Sequence, residues 1–139
     1  MRLTAEDRLD INELPARYAD ALDFRRPADL RMVFTDDAIW EVVGGMALNG
    51  INEIMDFMGR DVHPGAHILT NLYIKDVVED PRDGGPLVHF CSRGIYPLGP
   101  SDRQNPSAIF YGHYEDDVVK TADGWRIRHR RYTHGNSPK

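Results

Sequence analysis

The sequence predicts an α+β domain in which N-terminal helices cover an antiparallel sheet, and three features carry that expectation. Apolar residues recur at three- and four-residue steps only before about residue 58. From His67 onward the chain reads as long runs rich in Val, Ile, Tyr and Phe. Clusters of Gly, Pro and Asp separate those runs, as turns do. Helices followed by strands is the order in which helices pack on one face of an antiparallel sheet.

Each element can be justified in turn. Thr4 with Asp7 three residues later is a helix start, and Ile11, Leu14, Tyr18 and Leu22 then form one apolar face ending near Phe24. Pro15 interrupts this helix and predicts a bend near Ile11 to Leu14. Pro27 suits the first position of a second, short helix, Pro27 to Phe34. Ala38 to Val43 reads as a strand, Gly44-Gly45 as a hairpin turn and Met46 to Leu48 as the return. Ile51, Ile54, Met55 and Met58 predict a third helix. Four long strands follow, at about His67 to Glu79, Leu87 to Leu98, Ala108 to Lys120 and Trp125 to Tyr132. The whole of 1–139 reads as one domain, with an ordered core of about 4–132 and a polar tail at 133–139.

Composition narrows the function. Of 139 residues 41% are hydrophobic and 28% charged, an ordinary balance for a globular domain. The net charge of −5 argues against nucleic-acid or anionic-membrane partners. The basic stretch Arg126 to Arg131 alternates with apolar residues and reads as a strand edge. No segment approaches the roughly 20 apolar residues of a membrane span. A single cysteine, Cys91, cannot form an internal disulfide, so a reducing, cytoplasmic setting is expected. Ile68 to Ile74 carries bulk in both phases of its alternation, so a second copy of the chain should cover the outer face of the sheet. A homo-oligomer, dimer or trimer, is the expected assembly.

Candidate chemistry rests on few residues. Asp23 sits at the C-terminal end of the first helix, where the helix dipole disfavours a carboxylate, with Ala16 and Ala19 leaving space beside it. A surface aspartate neutralised by Arg25 or Arg26 is the alternative. His67 opens the first long strand and on simple alternation shares a face with Leu69, Asn71 and Tyr73, pairing a proton-transfer group with a neutral donor. The alternative is a core histidine bonded to backbone. His63 and His67 lack the helix that their spacing would need to bind a metal, because Pro64-Gly65 intervenes. Tyr96, Tyr111 and His113 lie on later strands, and His129 and Arg131 share the phase of Trp125 and Ile127. His89 and His134 have no supporting context. There is no Gly-rich phosphate loop, no G-x-S-x-G elbow and no Cys-His motif, so nucleotide-binding and serine-hydrolase readings have no foothold, and no metal is expected at His63 and His67.

Several strings taken together resemble the SnoaL-like domain family of the NTF2-like superfamily. They are Ile11-Asn-Glu-Leu with Arg17-Tyr-Ala-Asp-Ala-Leu-Asp23, Phe34-Thr-Asp-Asp-Ala-Ile-Trp40, Gly50-Ile-Asn-Glu-Ile54, His67-Ile-Leu-Thr-Asn71, Gly112-His-Tyr-Glu-Asp116 and Asp123-Gly-Trp-Arg-Ile127. The resemblance implies a cone, a strongly curved sheet wrapped around the N-terminal helices with a deep pocket between. Within the family the pattern is similar to the scytalone dehydratase, hexachlorocyclohexane dehydrochlorinase and bile-acid 7α-dehydratase types. It implies that Asp23 orients His67, which removes a proton while a leaving group departs from the next carbon. The tyrosine that precedes the aspartate in scytalone dehydratases is Leu22 here.

The expected activity is therefore that of a cofactor-independent, dehydratase-type lyase acting on a hydrophobic, cyclic small molecule. His67 and Asp23 are the catalytic pair, and Tyr18, Trp40, Asn71, Tyr96, Tyr111, His113 and Arg131 are the candidate substrate-binding residues. Trp40, Leu69 and Phe110 are expected walls of the pocket. An isomerase or cyclase using the same base, or a non-catalytic binding module such as an oxygenase small subunit, are the alternatives.

Overall fold

A computed structural model of the chain describes residues 2–60, 65–99 and 108–136. Its elements are α1 (Ala5–Asp23), a 3-10 helix (Pro27–Met32), β1 (Phe34–Val42), β2 (Ala47–Asn49), α2 (Ile51–Met58), β3 (Ile68–Glu79), β4 (Pro86–Leu98), β5 (Ala108–Thr121) and β6 (Gly124–His134). Thr4 and Asp7 close a reciprocal cap on α1: the Asp7 N–H donates to Thr4 Oγ1 (3.0 Å) and the Thr4 N–H to Asp7 Oδ2 (2.9 Å). The helix remains one element through Pro15, which is buried with Ile11, Leu14, Tyr18 and Leu22. It stops where Arg25 turns left-handed (φ 53°) and the Arg26 N–H reaches back to the Ala21 carbonyl at 2.8 Å. That stop holds Asp23 in the last turn.

The six strands form one open sheet in the order β2-β1-β6-β5-β4-β3. Four neighbouring pairs are antiparallel, but β1 and β6 run parallel, so the all-antiparallel expectation is corrected at that seam. No turn joins these two strands, and the direction of the last is set by its hairpin with β5, made through Ala122-Asp123. α1, α2 and the 3-10 helix lie on the inner, concave side of the sheet. Ile11, Leu14, Leu30, Val33, Ile54, Val88, Phe90, Val118 and Ile127 make the core there.

Register slips in β3 and β6 reset which side chains face inward. In β3 the register slips between Thr70 and Tyr73, with Asn71 at φ 53°. The core-facing series is therefore Leu69, then Leu72 and Ile74, then Val77 after a second slip. In β6 the pairing jumps from Val118–Ile127 to Asp117–His129, leaving Arg128 as the extra residue. Inward residues are then Trp125 and Ile127 before the bulge, and Arg130 and Tyr132 after it.

β6 extends to His134, so Thr133 and His134 belong to the sheet rather than to the polar tail. His63 and Pro64, most of the break at 99–106 and the tail's last residues, 137–139, lie outside the described residues. On the outer side, Ile68, Tyr73, Ile95, Ile109 and Tyr111 are exposed.

Candidate active site

α1 and the start of β3 bring two side chains together. Asp23 Oδ1 lies 2.7 Å from His67 Nδ1, and Asp23 Oδ2 accepts the His67 backbone N–H at 2.8 Å. One carboxylate thus fixes both the ring and the main chain from which it projects. The His67 side chain is 6% exposed and that of Asp23 17%. With no basic residue in its last turn, α1 does not itself neutralise Asp23, and the two donors from His67 offset the unfavourable helix end. An ionised Asp23 requires a proton on Nδ1, which makes Nε2 the basic nitrogen of the neutral imidazole.

His67 is part of the wall of a cavity of about 240 Å³, lined also by Tyr18, Leu22, Trp40, Val42, Phe57, Met58, Tyr96, Leu98, Phe110, Tyr114, Tyr132 and His134. The imidazole packs edge-on against Tyr18 and Tyr96, at centroid distances of 6.2 and 5.3 Å. Tyr96 Oη donates to Tyr114 Oη at 2.8 Å. Burial pushes the phenols of Tyr18, Tyr96, Tyr114 and Tyr132 above their ordinary range, so all four stay protonated at neutral pH.

Beneath them Arg130 is fully buried, its guanidinium 4.0 Å from the Tyr114 ring and 4.4 Å from the Tyr18 ring. It donates to both oxygens of buried Asp116, at 2.9 and 2.8 Å. Burial opposes the charge on Arg130, but Asp116 overrides it and holds the guanidinium above its ordinary value. Arg130 Nη1 is buried with no hydrogen-bond partner among the described residues, and an interaction of the Trp40 side chain with the Tyr18 hydroxyl works against the burial that raises that phenol. A buried donor left unmet costs about 1–3 kcal/mol.

Of the expected site residues, the structure brings Asp23, His67, Tyr18, Trp40 and Tyr96 together, with Phe110 as a wall. Leu69 packs on the core instead of lining the cavity. Four expectations are corrected. Asn71 is exposed on its bulge, because the slip turns it away from the side that His67 occupies. Tyr111 and His113 alternate with the cavity residues Phe110 and Tyr114 on β5, so they face outward. Tyr111 is 54% exposed and His113 Nδ1 bonds the Gly135 carbonyl at 3.3 Å. Arg131 also faces outward, past the Arg128 bulge, and forms a two-bond pair with Asp117 at 3.2 and 3.0 Å.

The sequence reading missed Tyr114, Tyr132 and His134. The two-residue spacing of Tyr132 and His134 marks one strand face, but only the bulge shows that this face is the inner one. Among the described residues, no group of three or more His, Cys, Asp or Glu could hold a metal ion. No helix among them is long and apolar enough to cross a membrane.

A cone of helices and curved sheet, with an acid–imidazole contact opening on one apolar cavity, defines the class of NTF2-like pocket proteins. The chain belongs to the SnoaL-like domain family, whose model matches residues 3–131. It is 34% identical over 132 residues to the uncharacterized protein Rv2910c of Mycobacterium tuberculosis (strain ATCC 25618 / H37Rv), covering 89% of this chain and 82% of that one. The uncharacterized protein Mb2934c of Mycobacterium bovis (strain ATCC BAA-935 / AF2122/97) matches equally.

Among solved structures, a cystatin-like-fold protein of unknown function from Nostoc punctiforme PCC 73102 superposes with TM-score 0.78 at 22% identity, covering 99% of this chain and 97% of that one. A candidate scytalone dehydratase from Novosphingobium aromaticivorans DSM 12444 has TM-score 0.68 at 21% identity, with coverage of 95% and 89%. LinA has TM-score 0.69 at 20% identity, with coverage of 96% and 91%. At these identities the likeness is one of fold.

Proposed function

We propose that the protein is a cofactor-independent lyase that eliminates water from a hydrophobic, cyclic small molecule, with His67 as general base and Asp23 as the residue that orients it. The observation that carries this reading is the 2.7 Å contact between Asp23 and an imidazole in the wall of an apolar cavity. In this scheme His67 Nε2 takes a proton from the carbon beside a carbonyl. The carbon–oxygen bond of the neighbouring carbon then breaks, and the departing hydroxide recovers that proton as water. Asp23 stabilises the imidazolium in between. The likeness in fold to a candidate scytalone dehydratase and to LinA supports the scheme.

The test is a panel of β-hydroxy cyclic ketones assayed by product mass. Loss of one water, reduced about 10²–10⁴-fold in both H67A and D23N, is the expected result. Products of unchanged mass would instead indicate an isomerase or cyclase using the same base. Turnover surviving both substitutions would remove the pair from the mechanism. We place the interface of a homo-oligomer on the outer face of β3 to β5, where Ile68, Tyr73, Ile95 and Tyr111 are exposed. Size-exclusion with light scattering tests it, and a monomer at every concentration would refute it.

A further inference from the structure

Outside the cavity one buried histidine has no part in the chemistry above. His113 is 4% exposed, although Tyr111, two residues earlier on the same outer side of β5, is 54% exposed. The end of the chain lies against it. β6 finishes at His134, Gly135 adopts a left-handed conformation (φ 66°), and its N–H donates to the Tyr111 carbonyl at 2.9 Å. The Gly135 carbonyl accepts from His113 Nδ1 at 3.3 Å, and Arg93 Nη1, on the neighbouring β4, donates to Asn136 Oδ1 at 3.3 Å. A carbonyl only accepts, so His113 carries its proton on Nδ1. Tyr111, His113 and Arg93 thus hold Gly135 and Asn136 from the outer side of the sheet.

His134, one residue before this hook, faces the other way. It lines the cavity, its ring edge-on to Tyr132 at 4.9 Å. His134 and Phe110 both belong to the cavity wall and are both solvent-exposed, which puts a mouth of the cavity between the end of β6 and the start of β5. We propose that residues 134–136 form a gate at that mouth, with His113 as the latch that holds it shut from the opposite side of the sheet. The inference does not depend on which reaction His67 performs. One net hydrogen bond shifts an equilibrium by about three- to tenfold, so losing the His113 contact raises the open fraction by that factor and leaves the rest of the β5–β6 pairing in place. A latch engaged equally with the cavity empty or filled changes entry and exit rates together and leaves affinity alone. A residue that merely shapes the cavity changes affinity.

The experiment follows binding of 2-naphthol, a neutral apolar fluorophore, by stopped-flow fluorescence, alongside amide hydrogen exchange of the protein alone. His113→Leu should raise the association and dissociation rates together, about three- to tenfold, with an unchanged Kd, and should speed exchange of the Gly135 amide by the same factor. His113→Asn keeps a side-chain N–H donor near the Nδ1 position and should restore most of the wild-type rates. Arg93→Ala removes an exposed side chain outside the core and should move the rates in the same direction as His113→Leu. Unchanged rates in both His113→Leu and Arg93→Ala, a changed affinity at constant association rate, or no binding of 2-naphthol to the wild-type protein would overturn the proposal. If His113→Leu does not fold, Arg93→Ala decides.

Discussion

Gly94 and Gly112 face each other across β4 and β5, and each clears the space in which a tyrosine of the cavity lies. A Cβ on Gly94 would stand 1.9 Å from Tyr96 Oη and 2.3 Å from its Cζ. One on Gly112 would stand 2.3 Å from Tyr132 Oη and 2.5 Å from the Thr133 carbonyl oxygen. A pair of absent side chains therefore lets two phenols fold back over the sheet and turn their hydroxyls into the cavity.

Alanine at either position should cost stability on the overpacking scale, about 1–3 kcal/mol. Gly112→Ala should be the worse of the two, because it strikes backbone as well as a ring. Tyr96→Ala should remove most of the penalty of Gly94→Ala, giving a non-additive double-mutant cycle by denaturant titration. Independent, additive effects would show that the glycine serves something other than the ring.

The Asp116–Arg130 pair makes a sharper stability prediction. Both side chains are fully buried, so neutralising one leaves an uncompensated charge. Asp116→Asn should cost about 3–5 kcal/mol. Arg130→Lys should not substitute, since an ammonium cannot make the two-bond fork to Asp116 or match the guanidinium's contacts with the Tyr18 and Tyr114 rings. Chemical denaturation measures both, and a D116N variant as stable as wild type would contradict the buried geometry.

How much of this could be read from the chain depends on where alternation holds. α1, with its Thr4–Asp7 cap, was legible because a helix start is punctuated by residue type, whereas the Asp23–His67 pairing was legible only through the family resemblance, each residue alone leaving an alternative open. Asn71 and Arg131 were misplaced for one shared reason. A single extra residue at each bulge inverts the face of everything beyond it, and neither bulge has a residue such as glycine to announce it. His113 and Tyr111 went astray because β5 carries bulky residues in both phases, so polarity alone did not choose the inner face. Gly94 and Gly112 were unreadable as a pair, since their meaning lies in a register between strands.

Alkaline titration tests the buried phenols. Their pKa values are raised in the folded state, so their contribution is full below the unfolded value of about 10 and is lost as pH rises above it. Absorbance at 295 nm should show four of the six tyrosines ionising only as the protein unfolds. Tyrosinate formation by all six in a protein with native circular dichroism would contradict the cavity's composition.

Acid should act through Asp7. The Thr4 backbone N–H, then the Trp125 indole N–H, the Thr4 hydroxyl and Lys120, hold its carboxyl below the usual range. A depressed pKa stabilises above the unfolded value of about 4 and is lost as pH falls through the folded one. Asp7→Asn should therefore lower the melting temperature at neutral pH, and its gap from wild type should narrow below about pH 4. A gap independent of pH would mean that ionisation of Asp7 has no part in tying α1 to β6.

The parallel seam has a consequence for how the molecule assembles. β6 stands between β1, which carries the helical half, and β5, which closes the β3–β4–β5 meander. No strand of one half pairs with a strand of the other, so the sheet is completed only when the segment after residue 123 inserts. Pairings of such long sequence separation slow the search for the native state. They also concentrate the sheet's continuity in one strand: a deletion of β6 would leave two sheet fragments with no strand pairing between them, joined only by contacts such as Asp23–His67.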